Sequence, residues 1–161
     1  MKRVAIVVGS PRDVSTLAEC RRYLDHFQIP YDEFVLSAHR NPDETADFAR
    51  SAEGAGYGVI IAAAGMAAAL PGVLAAHTRL PVIGIPLSAS DLQGLDALLS
   101  IVQMPSGVPV GTVSIGKAGA VNAAVFAARI LALEDPDLAE RVKDFMKSGS
   151  RLSKENKASG E

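Results

Sequence analysis

Two short loops in this sequence combine residues that could bind an anion and move a proton. The first is Gly9-Ser10-Pro11-Arg12-Asp13, and the second is Ser37-Ala38-His39-Arg40. Histidine exchanges a proton near neutral pH, because its unperturbed pKa is about 6.5. Arginine has a fixed charge and a planar guanidinium group that suits phosphate. The two loops therefore suggest a site for a phosphorylated small molecule in which His39 does acid–base chemistry.

The first loop has a functional and a structural interpretation. In the functional one, the Ser10 hydroxyl and the backbone N–H groups hold phosphate, and Asp13 accepts hydrogen bonds from ribose hydroxyls. In the structural one, the loop is a plain strand-to-helix turn and Asp13 caps the helix that follows. The pattern is neither a P-loop nor a complete dinucleotide fingerprint, so the loop alone does not decide between them.

The second loop leaves similar alternatives open. His39 could be a capping residue, and Arg40 could form a surface ion pair with Asp43 or Glu44. A Ser37-His39-Asp43 triad is not expected, because residues this close in sequence do not readily adopt that geometry. The other two histidines, at positions 26 and 77, are expected at the surface.

Both loops follow strand-like runs, which predicts that they lie close together. Val4–Val8 is a β-branched run ending in glycine, and Tyr31–Leu36 is a second strand. Asn41 and Pro42 are good starting residues for the next helix. Further strands are predicted over 59–63, 82–86 and 110–115, and helices over 42–53, 70–78, 94–101, 118–133 and 137–147. This alternation predicts an α/β fold, with a parallel sheet covered by helices on both faces.

Composition restricts the remaining choices. The chain has 161 residues, 48% of them hydrophobic, and a formal charge of −2, which favours neither nucleic acid nor a membrane surface as a partner. Cys20 is the single cysteine, so no internal disulfide forms, and the usage fits a cytoplasmic protein. No histidine–carboxylate cluster has metal-ligand spacing, so no metal is expected. We expect one catalytic domain over residues 1–147 and a polar tail over 148–161.

The 118–133 helix suggests subunit contact. Its alanines spread small residues around most of its circumference. A helix that is small and apolar all round is usually buried. In a chain of this size, that pattern favours a homo-oligomer.

Three motifs in order carry a resemblance to a known family: Ser37-Ala38-His39-Arg40, Ser100-Ile101-Val102-Gln103-Met104-Pro105 and Ile115-Gly116-Lys117-Ala118-Gly119-Ala120. From about Val4 to Leu133, the chain resembles the class I branch of the aminoimidazole ribonucleotide (AIR) carboxylase family of purine biosynthesis. The resemblance implies a flavodoxin-like three-layer αβα fold and a homo-octamer with sites between subunits. It implies reversible conversion of N5-carboxyaminoimidazole ribonucleotide into 4-carboxyaminoimidazole ribonucleotide, with no cofactor, metal or ATP.

The resemblance also implies roles for individual residues. Ser10 and Arg40 would bind the 5′-phosphate of the ribonucleotide, and Asp13 the ribose. His39 would be the general acid and base. The pocket for the base and its carboxylate would be lined by Ser37 and by the loop that contains Gly65, Ala68 and Leu70.

Four residues depart from the family pattern, two of them in the loop after the third strand. There the family usually reads Gly-Gly-Ala-Ala-His-Leu-Pro-Gly, and this chain has Gly65-Met66-Ala67-Ala68-Ala69-Leu70-Pro71-Gly72. Met66 narrows the loop, and Ala69 removes a histidine. Arg12 replaces a serine and Asn41 a threonine. Two alternatives stay open: a carboxylase that uses carbon dioxide, against which Arg40 argues, and a non-catalytic nucleotide-binding relative, for which the alanine at position 69 is the support.

Overall fold

The computed structural model describes residues 1–152, in which strands and helices alternate along the chain. The strands are β1 Arg3–Val8, β2 Tyr31–Val35, β3 Tyr57–Ala64, β4 Val82–Pro86 and β5 Gly111–Thr112. The α-helices are α1 Ala18–His26, α2 Pro42–Ala52, α3 Leu70–His77, α4 Leu95–Val102, α5 Gly116–Leu131 and α6 Pro136–Lys147. A 3₁₀ helix, Pro11–Leu17, lies between β1 and α1.

The five strands form one parallel sheet in the order β2-β1-β3-β4-β5. This is the flavodoxin-like order, in which the direction of strand addition reverses between β1 and β3. The predicted α/β fold and its flavodoxin-like three-layer arrangement are therefore confirmed.

Helices cover both faces of the sheet, because its central strands carry apolar side chains on both sides. All eight residues of β3 are buried. One face packs against α1, α5 and α6 through residues such as Leu24, Ala124 and Phe145. The other face packs against α2, α3 and α4 through residues such as Ala49 and Leu74. The chain thus has one continuous sheet with two cores, which fixes the strand ends that carry the predicted site.

The fifth strand is much shorter than the predicted 110–115 segment. After Thr112 only one further sheet bond forms, from the N–H of Val113 to the carbonyl of Gly84. The chain then turns through Gly116, at φ +68°, into α5. A β-carbon on Gly119 would lie 1.7 Å from the Ser114 carbonyl oxygen. This close approach of α5 draws the backbone away from the sheet.

The first strand leads into a 3₁₀ helix, so the expectation that Asp13 caps a following α-helix is wrong. Ser10 occupies the cap position, and its side-chain oxygen accepts a hydrogen bond from the N–H of Arg12. The hydroxyls of Ser15 and Thr16 donate to the carbonyls three residues earlier. Such side-chain bonds compete with α-helical pairing, which accounts for the tighter turn.

The alanines of α5 are explained within one chain. Ala120, Ala123, Ala124, Ala127 and Ala128 are all fully buried in the core between the sheet and α1. The small-residue pattern therefore reflects close helix packing inside the protomer. The alanines of α5 therefore do not support subunit contact, and the homo-oligomer stays a prediction.

Two further expectations concern segments of the chain. No helix within residues 1–152 is long and apolar enough to cross a membrane. The predicted tail begins after α6 ends at Lys147, and its last nine residues, 153–161, lie outside the described residues.

Candidate active site

The loops after β1, β2 and β3 meet around a cleft of about 510 Å³ at the carboxyl edge of the sheet. The cleft lies at the β1/β3 reversal point, where open α/β sheets bind ligands. It brings together every residue that the sequence analysis assigned to the site: Ser10, Asp13, Ser37, His39, Arg40, Gly65, Ala68 and Leu70. Residues far apart in sequence thus form one surface because their strands are neighbours.

The first loop contributes a hydroxyl with a free proton. The Ser10 oxygen accepts from the N–H of Arg12 at 3.3 Å, and the Ser10 carbonyl accepts from the N–H of Asp13 at 3.0 Å. These bonds use the oxygens of Ser10 as acceptors, so its O–H proton remains available to donate. A phosphate oxygen is a suitable acceptor for such a donor.

The second loop is a tight turn that presents His39 and Arg40. The Ser37 hydroxyl oxygen accepts from the N–H of Arg40 at 3.3 Å, and the Ser37 carbonyl accepts from the N–H of Asn41 at 3.0 Å. His39 and Arg40 are exposed at the apex of the turn. Arg40 forms no ion pair with any described residue, so the surface pair with Asp43 or Glu44 is not formed.

Asn41 holds the N-cap position of α2, as expected, but its side chain does not cap the helix. Its Oδ1 accepts from the backbone N–H of Ser37 at 2.7 Å. Its Nδ2 donates to the Glu44 carboxylate, also at 2.7 Å. The side chain therefore ties the loop that carries His39 to the first turn of α2.

The third loop supplies an apolar wall with a strained backbone. Met66 has φ +50° and Ala68 has φ +41°, both in the left-handed region. That conformation costs a residue with a β-carbon about 1–2 kcal/mol. The N–H of Ala68 bonds to the Gly65 carbonyl at 3.0 Å, closing the turn. Such outliers concentrate at functional sites, where the surrounding structure holds them in place.

Sequence reasoning did not assign Ala89, which also lines the cleft. Ala89 lies after β4, in a segment without regular structure. It reaches the site because Gly65, which lacks a β-carbon, allows the loop after β4 to approach the loop after β3. No local pattern marks this contact, since it depends on the sheet order. Arg12, Ala38, Met66, Ala67 and Ala69 also line the cleft, beside the residues assigned from sequence.

The charges in the cleft favour an anion on one side. Arg12 and Arg40 both line it. Asp13 is partly buried, and this burial raises the pKa of its carboxyl group above the usual value of 3.8. A carboxylate that has lost part of its water is a good acceptor for ligand hydroxyls. The arrangement suits a molecule with a phosphate at one end and sugar hydroxyls beside it.

The other two histidines lie outside this cleft. His26 packs against the rings of Phe27 and Phe145. His77 lines a separate shallow depression with Arg79. His39 is therefore the histidine that the fold places in the cleft beside Arg12 and Arg40.

Two other features border or resemble the site. Lys117 pairs with Glu19 at 3.4 Å and lines an adjoining depression of about 410 Å³, which shares Asp13 and Ala89 with the cleft.

A larger, open depression of about 1100 Å³ lies beside the N-terminal end of β2. Its Arg21 is paired with Glu33, and its lining comes from α1, the start of β2 and residues after α6 rather than from the three strand-end loops. We therefore assign the chemistry to the smaller cleft. Within residues 1–152, no group of three or more histidine, cysteine or acidic side chains could hold a metal ion.

Comparison with known proteins gives the family. The sequence model described as AIR carboxylase matches residues 3–151. The chain belongs to the AIR carboxylase family.

Individual family members agree with this assignment. The N5-carboxyaminoimidazole ribonucleotide mutase of Escherichia coli strain K12 is 52% identical over 146 residues, covering 91% of this chain and 86% of that protein. The Bacillus subtilis protein of the same name is 52% identical over 141 residues, covering 88% and 87%. The crystal structure of Treponema denticola PurE superposes with a TM-score of 0.82 at 29% identity, covering 91% and 90% of the two chains. The family resemblance drawn from the three sequence motifs is confirmed.

Proposed function

We propose that this AIR carboxylase family member converts N5-carboxyaminoimidazole ribonucleotide into 4-carboxyaminoimidazole ribonucleotide, as an isomerase of purine biosynthesis. The observation that carries the proposal is the convergence of Ser10, Asp13, His39 and Arg40 on one cleft beside an apolar wall. The curated relatives at about half identity bear the name of this mutase.

Phosphate and ribose would be held by the two polar loops. Arg40 is free of ion pairs among the described residues, and the hydroxyl of Ser10 has a proton to donate. Both groups would bind the 5′-phosphate. Asp13 would accept from the ribose hydroxyls. The aminoimidazole ring would then lie towards Ser37 and the Gly65–Leu70 loop.

The reaction needs one proton that returns to its source. When the carboxyl group leaves the exocyclic nitrogen, the N–C bond breaks, carbon dioxide forms and the nitrogen gains a proton. C4 then attacks the carbon dioxide, forming a C–C bond, and C4 loses its hydrogen as a proton. The first half of the reaction adds one proton to nitrogen, and the second half removes one proton from C4. A single group, His39, can therefore serve as acid and then as base.

The apolar wall would keep carbon dioxide in place between the two halves. Gly65, Ala67, Ala68 and Leu70 offer carbon surface and no acidic or basic side chain. Carbon dioxide is small and uncharged, and a water-poor pocket slows its hydration and escape.

A turnover assay on N5-carboxyaminoimidazole ribonucleotide tests the proposal, with AIR plus bicarbonate as the comparison. Fast conversion without added bicarbonate is expected. His39→Asn should bind the ribonucleotide nearly as well as the parent and lose turnover, and His77→Asn serves as the matched control. Activity that requires bicarbonate would point to a carboxylase, and a normal rate for His39→Asn would reject the catalytic role of His39.

We also propose a homo-oligomer, with the octamer as the expected form. Helix α4 and the residues before it display an apolar stripe, Leu92, Leu95, Leu99 and Val102, in which every member is at least half exposed. A second copy of the chain could cover this stripe.

Light scattering tests the assembly. Leu95→Glu with Leu99→Glu should release smaller species, whereas Leu133→Glu, at a more exposed leucine outside the stripe, should not. We further propose that the catalytic domain spans residues 1–147, that residues 148–161 form a polar tail, and that the protein works in the cytoplasm.

A further inference from the structure

The loop that carries His39 is held by hydrogen bonds within the segment from Ser37 to Asn41. Neither His39 nor Arg40 makes a side-chain hydrogen bond or ion pair with a described residue. Their positions over the cleft therefore depend on the turn from Ser37 to Asn41. Whatever holds that turn decides where the proton-transfer group and the phosphate-binding charge lie.

Three hydrogen bonds close the turn, and the shortest is the one that the Asn41 side chain accepts. The backbone N–H of Asn41 donates to the Ser37 carbonyl at 3.0 Å, and the N–H of Arg40 donates to the Ser37 hydroxyl at 3.3 Å. Oδ1 of Asn41 accepts from the N–H of Ser37 at 2.7 Å. Asn41 thus bonds to both polar backbone groups of Ser37.

Glu44 determines which atom of the Asn41 amide faces Ser37. Nδ2 of Asn41 donates to the Glu44 carboxylate at 2.7 Å. An amide turned the other way would present N–H groups to the N–H of Ser37 and its oxygen to a carboxylate, so both contacts would become repulsive. The pair therefore selects one orientation.

The first turn of α2 holds the backbone of Asn41 in place. The carbonyl of Asn41 accepts from both the N–H and the hydroxyl of Thr45, at 3.1 and 2.9 Å. Thr45 is fully buried. Asn41 is consequently held on one side by the core of the protein and holds the catalytic turn on the other.

We propose that Asn41 and Glu44 are positioning residues for the reaction, which together fix His39 and Arg40 over the bound ribonucleotide. The inference rests on the proposed role of His39. It adds that the alignment of that histidine depends on one oriented amide and on the carboxylate that orients it.

Exchanging donors and acceptors between the two positions tests the proposal. Asn41→Asp alone keeps an acceptor for Ser37 but places two carboxylates together, and kcat should fall about tenfold, the loss typical of one hydrogen bond. Glu44→Gln alone keeps an acceptor for Asn41 but replaces a charged acceptor with a neutral one, so kcat should fall less than it does for Asn41→Asp. The double change Asn41→Asp with Glu44→Gln restores a donor–acceptor pair, so kcat should recover.

Two further measurements separate positioning from folding. Asp47 pairs with Arg50 on the exposed face of the same helix, so Asp47→Asn is the matched control and should leave kcat unchanged. Thermal midpoints should be similar for all variants, while kcat changes more than KM for Asn41→Asp. If Asn41→Asp does not fold, Glu44→Ala, at an exposed side chain, should lower kcat instead.

These measurements distinguish failure of the positioning role from failure of the proposed function. Full activity of Asn41→Asp, or a double variant as impaired as Asn41→Asp at equal thermal stability, would overturn the positioning role. Failure of the proposed function would instead leave the unsubstituted protein without turnover of N5-carboxyaminoimidazole ribonucleotide.

Discussion

A β-carbon placed on Gly65 would lie 2.6 Å from the β-carbon of Ala89. It would also lie 3.4 Å from the carbonyl oxygen of Leu87. The loops after β3 and β4 therefore approach as closely as their backbones allow. Because the Gly65 loop forms the apolar wall of the cleft, its distance from the polar loops is set by this contact.

Substitution of Gly65 by alanine should push the two loops apart. The clash falls on a β-carbon fixed to backbone, so the structure must shift, at a cost of about 1–3 kcal/mol. We expect a lower free energy of unfolding and a lower turnover rate for Gly65→Ala. Thermal unfolding and the mutase assay measure the two effects.

Two variants give this prediction its controls. Gly9 lines the same cleft, but a β-carbon there would meet nothing within 4 Å, so Gly9→Ala should leave stability nearly unchanged. Adding Ala89→Gly to Gly65→Ala removes the clashing methyl group and should recover stability. If Gly65→Ala is as stable as the parent, the close contact does not constrain the loop.

Replacing Met66 with glycine should relieve backbone strain. Met66 has φ +50° and is largely exposed, so losing its side chain removes little packing within the chain. The expected gain in the free energy of unfolding is up to about 1 kcal/mol, after the higher chain entropy of glycine is included. Gln28, at φ +56° outside the cleft, provides the matched control as Gln28→Gly.

Met66→Gly should also change what happens to carbon dioxide, and Gln28→Gly should not. A smaller side chain at the cleft opens a route for water to enter and carbon dioxide to leave. We expect a larger fraction of substrate to end as AIR. Product analysis by chromatography gives the ratio directly, and an unchanged ratio would show that Met66 does not shield the pocket.

Asp13→Asn should raise stability at neutral pH. Burial raises the pKa of Asp13 above 3.8, so the folded protein binds a proton more tightly than the unfolded chain does. Stability from this group is therefore greatest below pH 3.8 and falls as pH rises through the higher native pKa. Melting curves should give a higher midpoint for the variant at neutral pH and a smaller difference in acid. Ribonucleotide binding should weaken at the same time.

Most of the fold and many of the cleft residues could be predicted from sequence, because strong local signals mark them. The β-branched run of β1 and the alternation of strands and helices gave the sheet, and the loops at strand ends gave His39 and Arg40. Local patterns did not reveal Ala89, which depends on a close approach between distant segments. They also did not reveal the truncation of β5, which depends on the close packing of Gly119 against Ser114. The side chain of Asn41 likewise has a local preference for capping, which is overridden by the N–H of Ser37.

The two edges of the sheet also constrain how copies of the protein meet. β5 has only two residues, and the other edge strand, β2, carries Asp32 and Glu33, which pair with Arg3 and Arg21. Short or charged edges are poor templates for a further strand. These edges disfavour edge-to-edge aggregation, so we expect any contact between copies to form through helices and not through an extended sheet.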